Sequence, residues 1–206
     1  MPSGIEVILA TTIARCTPLA LAAMGGYTSE RSGVINIGLE GKMLAGACAM
    51  AVITTRASNP WVGMAAGIAA AVVLSLFHWL CTQFYKIDQI ISGMAVNLIA
   101  LGGTKFCVDK FLPTDSGAIK RLPEGLFYAA AILLPVMLYY YSARTRGGLR
   151  LLASGSDPDK ARLMGVEPVR VRFGALLATG VFAGLAGVMI LNNVGGYTDN
   201  MTARRG

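Results

Sequence analysis

Side chains able to do chemistry are few in this chain, and they gather in two places. Residues 29–42, SERSGVINIGLEGK, set two carboxylates, two cations, an asparagine and three glycines between apolar runs. Residues 147–172, GGLRLLASGSDPDKARLMGVEPVRVR, are polar and strongly basic. Elsewhere Arg15, His78 and Asn97 interrupt stretches that are otherwise apolar. His78, the only histidine, sits in FHWLC with no second ligand nearby, and neither an HExxH pattern nor a serine-triad spacing is present. It reads as a packed or hydrogen-bonded helix residue. The four cysteines, Cys16, Cys48, Cys81 and Cys107, form no CxxC pair and read as small buried hydrophobes. No catalytic or metal-binding constellation emerges, which argues against a membrane-embedded enzyme.

The first polar stretch has the logic of a helix start. Asn36 is a good N-cap, and a helix over 37–55 would be about 28 Å long at 1.5 Å per residue. Glu40 then falls in its first turn, where the helix dipole favours a negative charge, and shares a face with Asn36 four residues earlier. Gly33, Gly38 and Gly41 leave the backbone accessible. Exposed backbone donors at a polar helix start are one way to line a path for a polar solute at membrane depth. The alternative is an interfacial turn that only caps a helix. Arg15, costly within an apolar span, is predicted to pair with Glu40 or Glu30. Asn97 either lines the same path or hydrogen-bonds a neighbouring helix.

The elements that must position these residues are membrane spans. Only 14% of the 206 residues are charged, against about 25% in soluble domains. Crossing a bilayer takes about 20 apolar residues, and residues 57–85, 125–143 and 173–198 carry no charge at all. The pattern predicts an all-α polytopic transmembrane helix bundle, a single domain over 1–206. It has about six membrane segments, 7–24, 37–55, 61–84, 90–108, 126–142 and 173–192, the second either crossing fully, or broken or re-entrant. Gly63 and Gly67, like Gly180 and Gly184, have the spacing that lets helices pack closely in lipid. The start MPSGIE lacks the basic region of a cleaved signal peptide, so the first run is expected to be retained.

The net charge of +7 is spread between spans rather than gathered with aromatics, which argues against nucleic acid and for orientation in a membrane. Seven of the 18 basic residues fall in 143–172, placing that segment in the cytoplasm. Counting back, 105–124 falls outside and 86–88 inside. If 37–55 crosses fully, 29–38 is cytoplasmic and the N-terminus is outside; if it is re-entrant or broken, both assignments flip. Within the basic segment, Asp157 can cap, Pro158 suits the first helical position and Gly165 can end the helix, predicting a short helix over 158–164. Two turns cannot stand alone in water, so this helix must dock on something.

SERSGVINIGLEGK, preceded by TPLALAAMGGY, resembles the early motif of permease subunits of bacterial ABC importers for nucleosides and simple sugars. GLRLLASGSDPDKARLMGV is similar to that family's coupling segment, with Leu149, Arg150, Gly155, Asp157, Pro158, Ala161 and Gly165 standing where its pattern puts them. The resemblance implies a substrate pathway at Gly33, Asn36, Gly38, Glu40, Gly41 and Asn97. It also implies a separate ABC ATPase carrying ATP and Mg2+, a second permease subunit, an extracytoplasmic substrate-binding lipoprotein and the bacterial inner membrane. The chain itself needs no cofactor and shows no Walker motif. Family members run on through further helices after a motif like MTAGRG, here MTARRG with Arg204, so the resemblance implies a chain lacking the last helices. A rival from another class is a secondary transporter with Arg15 and Glu40 as an ion relay.

Overall fold

The computed structural model describes residues 4–112, 120–198 and 201–202; part of the 105–124 loop (113–119) and the end of MTARRG (203–206) lie outside the described residues. All regular elements among the described residues are helical: α1 (Gly4–Arg31), α2 (Leu39–Ala57), α3 (Pro60–Trp79, continued by a π turn over Leu80–Phe84), α4 (Gln89–Phe111), α5 (Glu124–Arg144), α6 (Arg146–Ser156), α7 (Pro158–Leu163) and α8 (Pro168–Val194). Five of the helical stretches are long and apolar enough to cross a membrane: Ile5–Arg31, Pro60–Phe84, Gln89–Phe111, Glu124–Arg144 and Pro168–Val194. The chain is therefore a multi-pass, all-α membrane protein.

The sixth expected span, α2, carries Glu40, Lys42 and Arg56 and is wrapped by protein instead of lipid. Met43, Ala47, Met50 and Ala51 have no exposed surface. It packs against α3, α4 and α8. Small residues make this possible: Gly46 lies against Gly67 and Gly184, and Gly187 against the backbone of Met43. Both predicted glycine pairs fall in these seams, since Gly63 faces Thr54, and Gly180 and Gly184 face Val72 and Ile68. Hydroxyls add interhelical bonds, with Ser75 donating to the Leu176 carbonyl at 2.5 Å and Thr179 to the Gly25 carbonyl at 2.8 Å.

Helix ends follow local chemistry. Ser58 ends α2 in the left-handed region, and Asn59 then caps α3 ahead of Pro60 by accepting from the Trp61 amide at 3.0 Å. Asp88 caps α4 through the Ile90 and Ile91 amides. In α1, Pro18 lacks the N–H that would meet the Ala14 carbonyl. Asn193 of α8 donates to that carbonyl instead, at 3.1 Å.

Three expectations need correction. First, α1 continues to Arg31, so Ser29, Glu30 and Arg31 belong to its last turn rather than to a loop. Second, α2 begins at Leu39 with Gly38 as N-cap and no side-chain cap, because Asn36 is drawn into a different contact. Third, Cys16 is exposed while Cys48 is buried and Cys81 and Cys107 are intermediate; on the outer face of α1 a thiol behaves as a small apolar group. The helix α6 had no forecast.

If close approach at α2 holds the bundle together, Gly187→Val should fail, because its Cβ would meet the Met43 carbonyl carbon at 2.8 Å and backbone cannot yield as a side chain does. We expect a loss of about 3 kcal/mol or more and little monodisperse protein on size exclusion in detergent. Gly174→Ala, with nothing within 4 Å, should elute as wild type.

Candidate functional site

Between α1 and α2 the chain leaves the helical path, with turns at 32–33 and 37–38 around an irregular stretch at 34–36, and buried residues alternate with exposed ones: Ser32, Val34, Asn36 and Gly38 are buried while Ile35 and Ile37 are exposed. Gly33 starts this run at φ +82°, a conformation that strains any residue with a Cβ. The amides of Ser32, Gly33 and Val34 bond back to the Ser29 and Glu30 carbonyls of α1, and the remaining groups of the strap need partners from elsewhere. Arg172 Nε donates to the Ser32 carbonyl at 3.1 Å. Gln89 accepts from the Ile35 amide at 2.6 Å and donates to the Gly33 carbonyl at 3.3 Å. Asn97 Nδ2 donates to the Ile37 carbonyl at 3.1 Å, and its Oδ1 accepts from the Gly41 amide at 2.8 Å. Asn97 thus caps α2 from a neighbouring helix, supplying what Gly38 cannot.

The structure brings Gly33, Asn36, Gly38, Gly41 and Asn97 into one strap of backbone and its clamps. Gly38 packs on Gly93 and Val96, and Gly41 on Asn97 and Ala100. Gly93 lies four residues into α4, so α2 starts about one turn deep in the bundle. The segment is therefore broken rather than one continuous helix: the strap covers the first part of the depth and α2 the rest.

Asn36 and Glu40 do not form the expected shared face. Asn36 precedes the helix, and its Oδ1 accepts from Lys42 Nζ at 2.9 Å. Lys42 Nζ also lies 3.3 Å from His78 Nδ1. Lys42 and His78 have no exposed surface and Asn36 only 7%. Glu40 is half-buried, and its carbonyl accepts from Thr202 Oγ1 at 3.3 Å. The Asn36–Lys42–His78 cluster was missed from sequence because a lysine in a polar stretch reads as a surface group. The signal was present in His78, a polar side chain in the middle of an apolar span.

Among the described residues Arg15 pairs with neither Glu40 nor Glu30. Glu30 is fifteen residues further along the same helix, about 22 Å away. Arg15 instead borders a cavity of about 650 Å3 with Pro18, Glu124, Tyr128 and Asn193. A second cavity of about 600 Å3 opens beside the strap, lined by Gly33, Val34, Ile35, Thr82, Asp88 and Gln89. Among the described residues no group of three His, Cys, Asp or Glu side chains could hold a metal ion.

The strap leads directly to the basic segment. Gly155 of α6 touches the Arg31 carbonyl and the backbone of Gly33, and Arg172 bonds both Ser32 and, at 3.0 Å, Gln83 Oε1. The strap, the 86–88 turn and the arginine-rich segment thus share one end of the bundle. Beyond Gly155, Asp157 caps α7 through the amides of Asp159 and Lys160 at 3.2 and 3.0 Å, with Pro158 at the first position. The Lys160 amide and then its side chain hold the Asp157 carboxyl below its ordinary range, so the cap stays ionised at neutral pH. Gly165 ends the turn at φ +78°, where the Val166 amide donates to the Ala161 carbonyl at 2.9 Å. Ala161 is buried, and Leu149 and Arg150 are exposed. Two residues absent from the sequence reading complete this surface, Leu163 and Met164, 88% and 81% exposed at the tip of α7.

A multi-pass bundle whose most buried helix is fed by a clamped polar strap, tied in turn to an exposed capped helix, has the architecture of a membrane permease. The chain belongs to the family described as branched-chain amino acid transport system, permease component, whose family model matches residues 8–204. It is 31% identical over 211 residues to the guanosine ABC transporter permease protein NupQ of Bacillus subtilis, covering 89% of this chain and 66% of that protein. It is 34% identical over 202 residues to the putative glucose ABC transporter permease protein TsgC13 of Haloferax volcanii, covering 87% and 61%. The nucleoside ABC transporter permease protein NupC of Lactococcus lactis is 28% identical over 219 residues, covering 93% and 69%. The chain thus spans about two thirds of the length of these relatives. No solved structure matches it.

Removing the clamp should be costly. Asn97→Leu leaves the Gly41 amide and the Ile37 carbonyl unmet, and we expect a loss of about 2 kcal/mol or more in denaturant unfolding in micelles. Asn97→Asp keeps the acceptor for Gly41 and should lose less.

Proposed function

We propose that this chain is the membrane-spanning permease subunit of an ABC importer for nucleosides or related small polar solutes, driven by ATP hydrolysis on a separate subunit. The carrying observation is α7: a capped six-residue helix with two large apolar side chains in the open, at the basic end of the bundle. Such a helix gains stability from a partner that covers Leu163 and Met164. A cleft in an ATPase subunit that holds ATP and Mg2+ is the partner that suits it. The seven coupling positions divide by what they do. Asp157, Pro158 and Gly165 shape α7, and Ala161 anchors it, whereas Leu149 and Arg150 face outward and Gly155 abuts the strap.

Closure of the ATPase would press on α7, and the Gly155 contact and Arg172 would pass that displacement to the strap and α2. The excess of arginines at this end supports a position on the cytoplasmic face of the inner membrane. The opposite face would then receive solute from an extracytoplasmic binding lipoprotein. The outward faces of α4 and α5, rich in exposed apolar residues, leave area for lipid and a second permease subunit. The rival ion relay gains no support, since Arg15 faces the cavity bordered by Glu124 and not Glu40.

Asp157→Lys and Leu163→Asp should each cut copurification of the ATPase about tenfold or more while leaving the chain in the membrane fraction. Gly165→Val should do the same by straining the turn. Normal copurification with all three would remove α7 as the coupling element.

A further inference from the structure

At the end of the bundle opposite the basic segment, α2 carries Arg56 in its last turn and α4 carries Lys110 in its own. Residues 105–124 there hold four cations against three carboxylates, an excess that the positive-inside pattern does not explain. Two of these cations meet Arg56. Its guanidinium lies 4.9 Å from the centre of the Phe111 ring, and Lys110 Nζ lies 5.9 Å from the same centre and 5.6 Å from that of Phe106. Lys120 Nζ donates to the carbonyl of Ser58, two residues beyond Arg56, at 3.1 Å. All three side chains are exposed, and among the described residues no carboxylate bridges any of them, the neighbouring Asp109 included. Cations gathered in this way repel one another and call for an anion.

Phe111 also ends an apolar groove. With α2 as its floor and α3 and α4 as its walls, the groove runs past Cys48, Val52, Val73 and Thr104 and holds about 460 Å3. Its polar groups are used internally: the Thr104 hydroxyl donates to the Leu101 carbonyl at 3.3 Å and the Cys48 thiol to the Thr104 carbonyl at 3.7 Å. A polar solute would find no partner in it. From Ile99 to Phe111 along α4 the groove is about 18 Å long, close to half the roughly 30 Å of a hydrocarbon core. Spread over that length, its volume makes a channel about 5 or 6 Å wide, room for one hydrocarbon chain, whereas a helix is about 10 Å across.

We propose that this groove seats one anionic phospholipid, an acyl chain lying on α2 between α3 and α4 and the phosphate held among Arg56, Lys110 and Lys120. The cations alone would take any anion and the groove alone any hydrocarbon; side by side they specify a molecule that has both. Gly103 lines the groove, and a Cβ there would meet nothing within 4 Å, so α4 offers bare backbone where the chain would lie. Ala45, Ala49, Val52 and Ile53 are only partly buried, and the lipid would cover this one strip of α2 that its neighbouring helices leave open. The site goes beyond the importer reading and does not depend on it.

The test is native mass spectrometry of the purified protein released from non-ionic detergent, with retained lipid counted. Wild type should keep one phosphatidylglycerol about tenfold better than phosphatidylcholine of the same acyl chains, and excess inorganic phosphate should not displace it. Arg56→Gln combined with Lys110→Gln should bring the two lipids within about twofold. Gly103→Phe fills the groove and should cut phosphatidylglycerol retention about tenfold while eluting as wild type on size exclusion. Gly102→Phe, which also has open space but lies outside the groove, should bind as wild type. Equal retention of the two lipids by wild type overturns the site, as does displacement by phosphate, which would leave a simple anion site. Unchanged retention in Gly103→Phe overturns it too, and if that variant instead breaks a dimer, the groove seats a second copy. Should Gly103→Phe aggregate, the double glutamine variant decides alone, since both side chains it changes are exposed: an undiminished preference for phosphatidylglycerol removes the proposal.

Discussion

Backbone that is not helical must find hydrogen-bond partners when it lies at membrane depth, and the run from Ser32 to Gly38 sets that demand here. The Ser32, Gly33 and Val34 amides bond back to α1, and three side chains from elsewhere meet more of it. Arg172 from the foot of α8, Gln89 from the start of α4 and Asn97 from two turns further along α4 each hold backbone groups of the strap. The bundle's arrangement follows from this requirement: α4 and α8 must flank the strap, and α2 must start where Asn97 can cap it. A second asparagine repeats the device elsewhere. Asn192 accepts from the Leu122 amide at 2.6 Å and donates to the Leu122 carbonyl at 3.2 Å, fixing the segment that leads into α5.

Putting α2 at the centre has a price in composition. A helix encased by three others needs small residues to admit their backbones, and the glycines of α2, α3 and α8 meet that need. Those seams leave little room for side-chain adjustment, so movement of α2 has to occur with its neighbours or by bending of the strap below it. The link from α6 through Gly155 to the strap joins this region to the exposed basic end.

Much of the architecture is legible in the sequence because lipid imposes long apolar runs. The spans around 61–84, 90–108, 126–142 and 173–192 match helices to within a few residues, and α7 is written in DPDKARLMG through its cap, its proline and its terminal glycine. What was hidden depends on contacts distant in sequence. Asn36 has the side chain of an N-cap, but Lys42 takes its oxygen, and the cap of α2 comes from Asn97 instead. Lys42 reads as a surface cation until His78 and the strap enclose it. Arg15 has nearby carboxylates in sequence, yet the helix carries it toward Glu124, over a hundred positions away by number. Leu163 and Met164 look like ordinary core residues of a short helix, and only the three-dimensional placement shows them bare.

Pro18 ties α1 to α8 in time as well as in space. Its ring leaves the Ala14 carbonyl without a partner in its own helix, and the group that fills the gap belongs to Asn193, 179 residues downstream. As the polypeptide is synthesised, α1 enters the bilayer before α8 and must wait for it before that acceptor is satisfied. An early span is in this respect completed late, so a nascent chain released before α8 would carry a persistent polar flaw in α1.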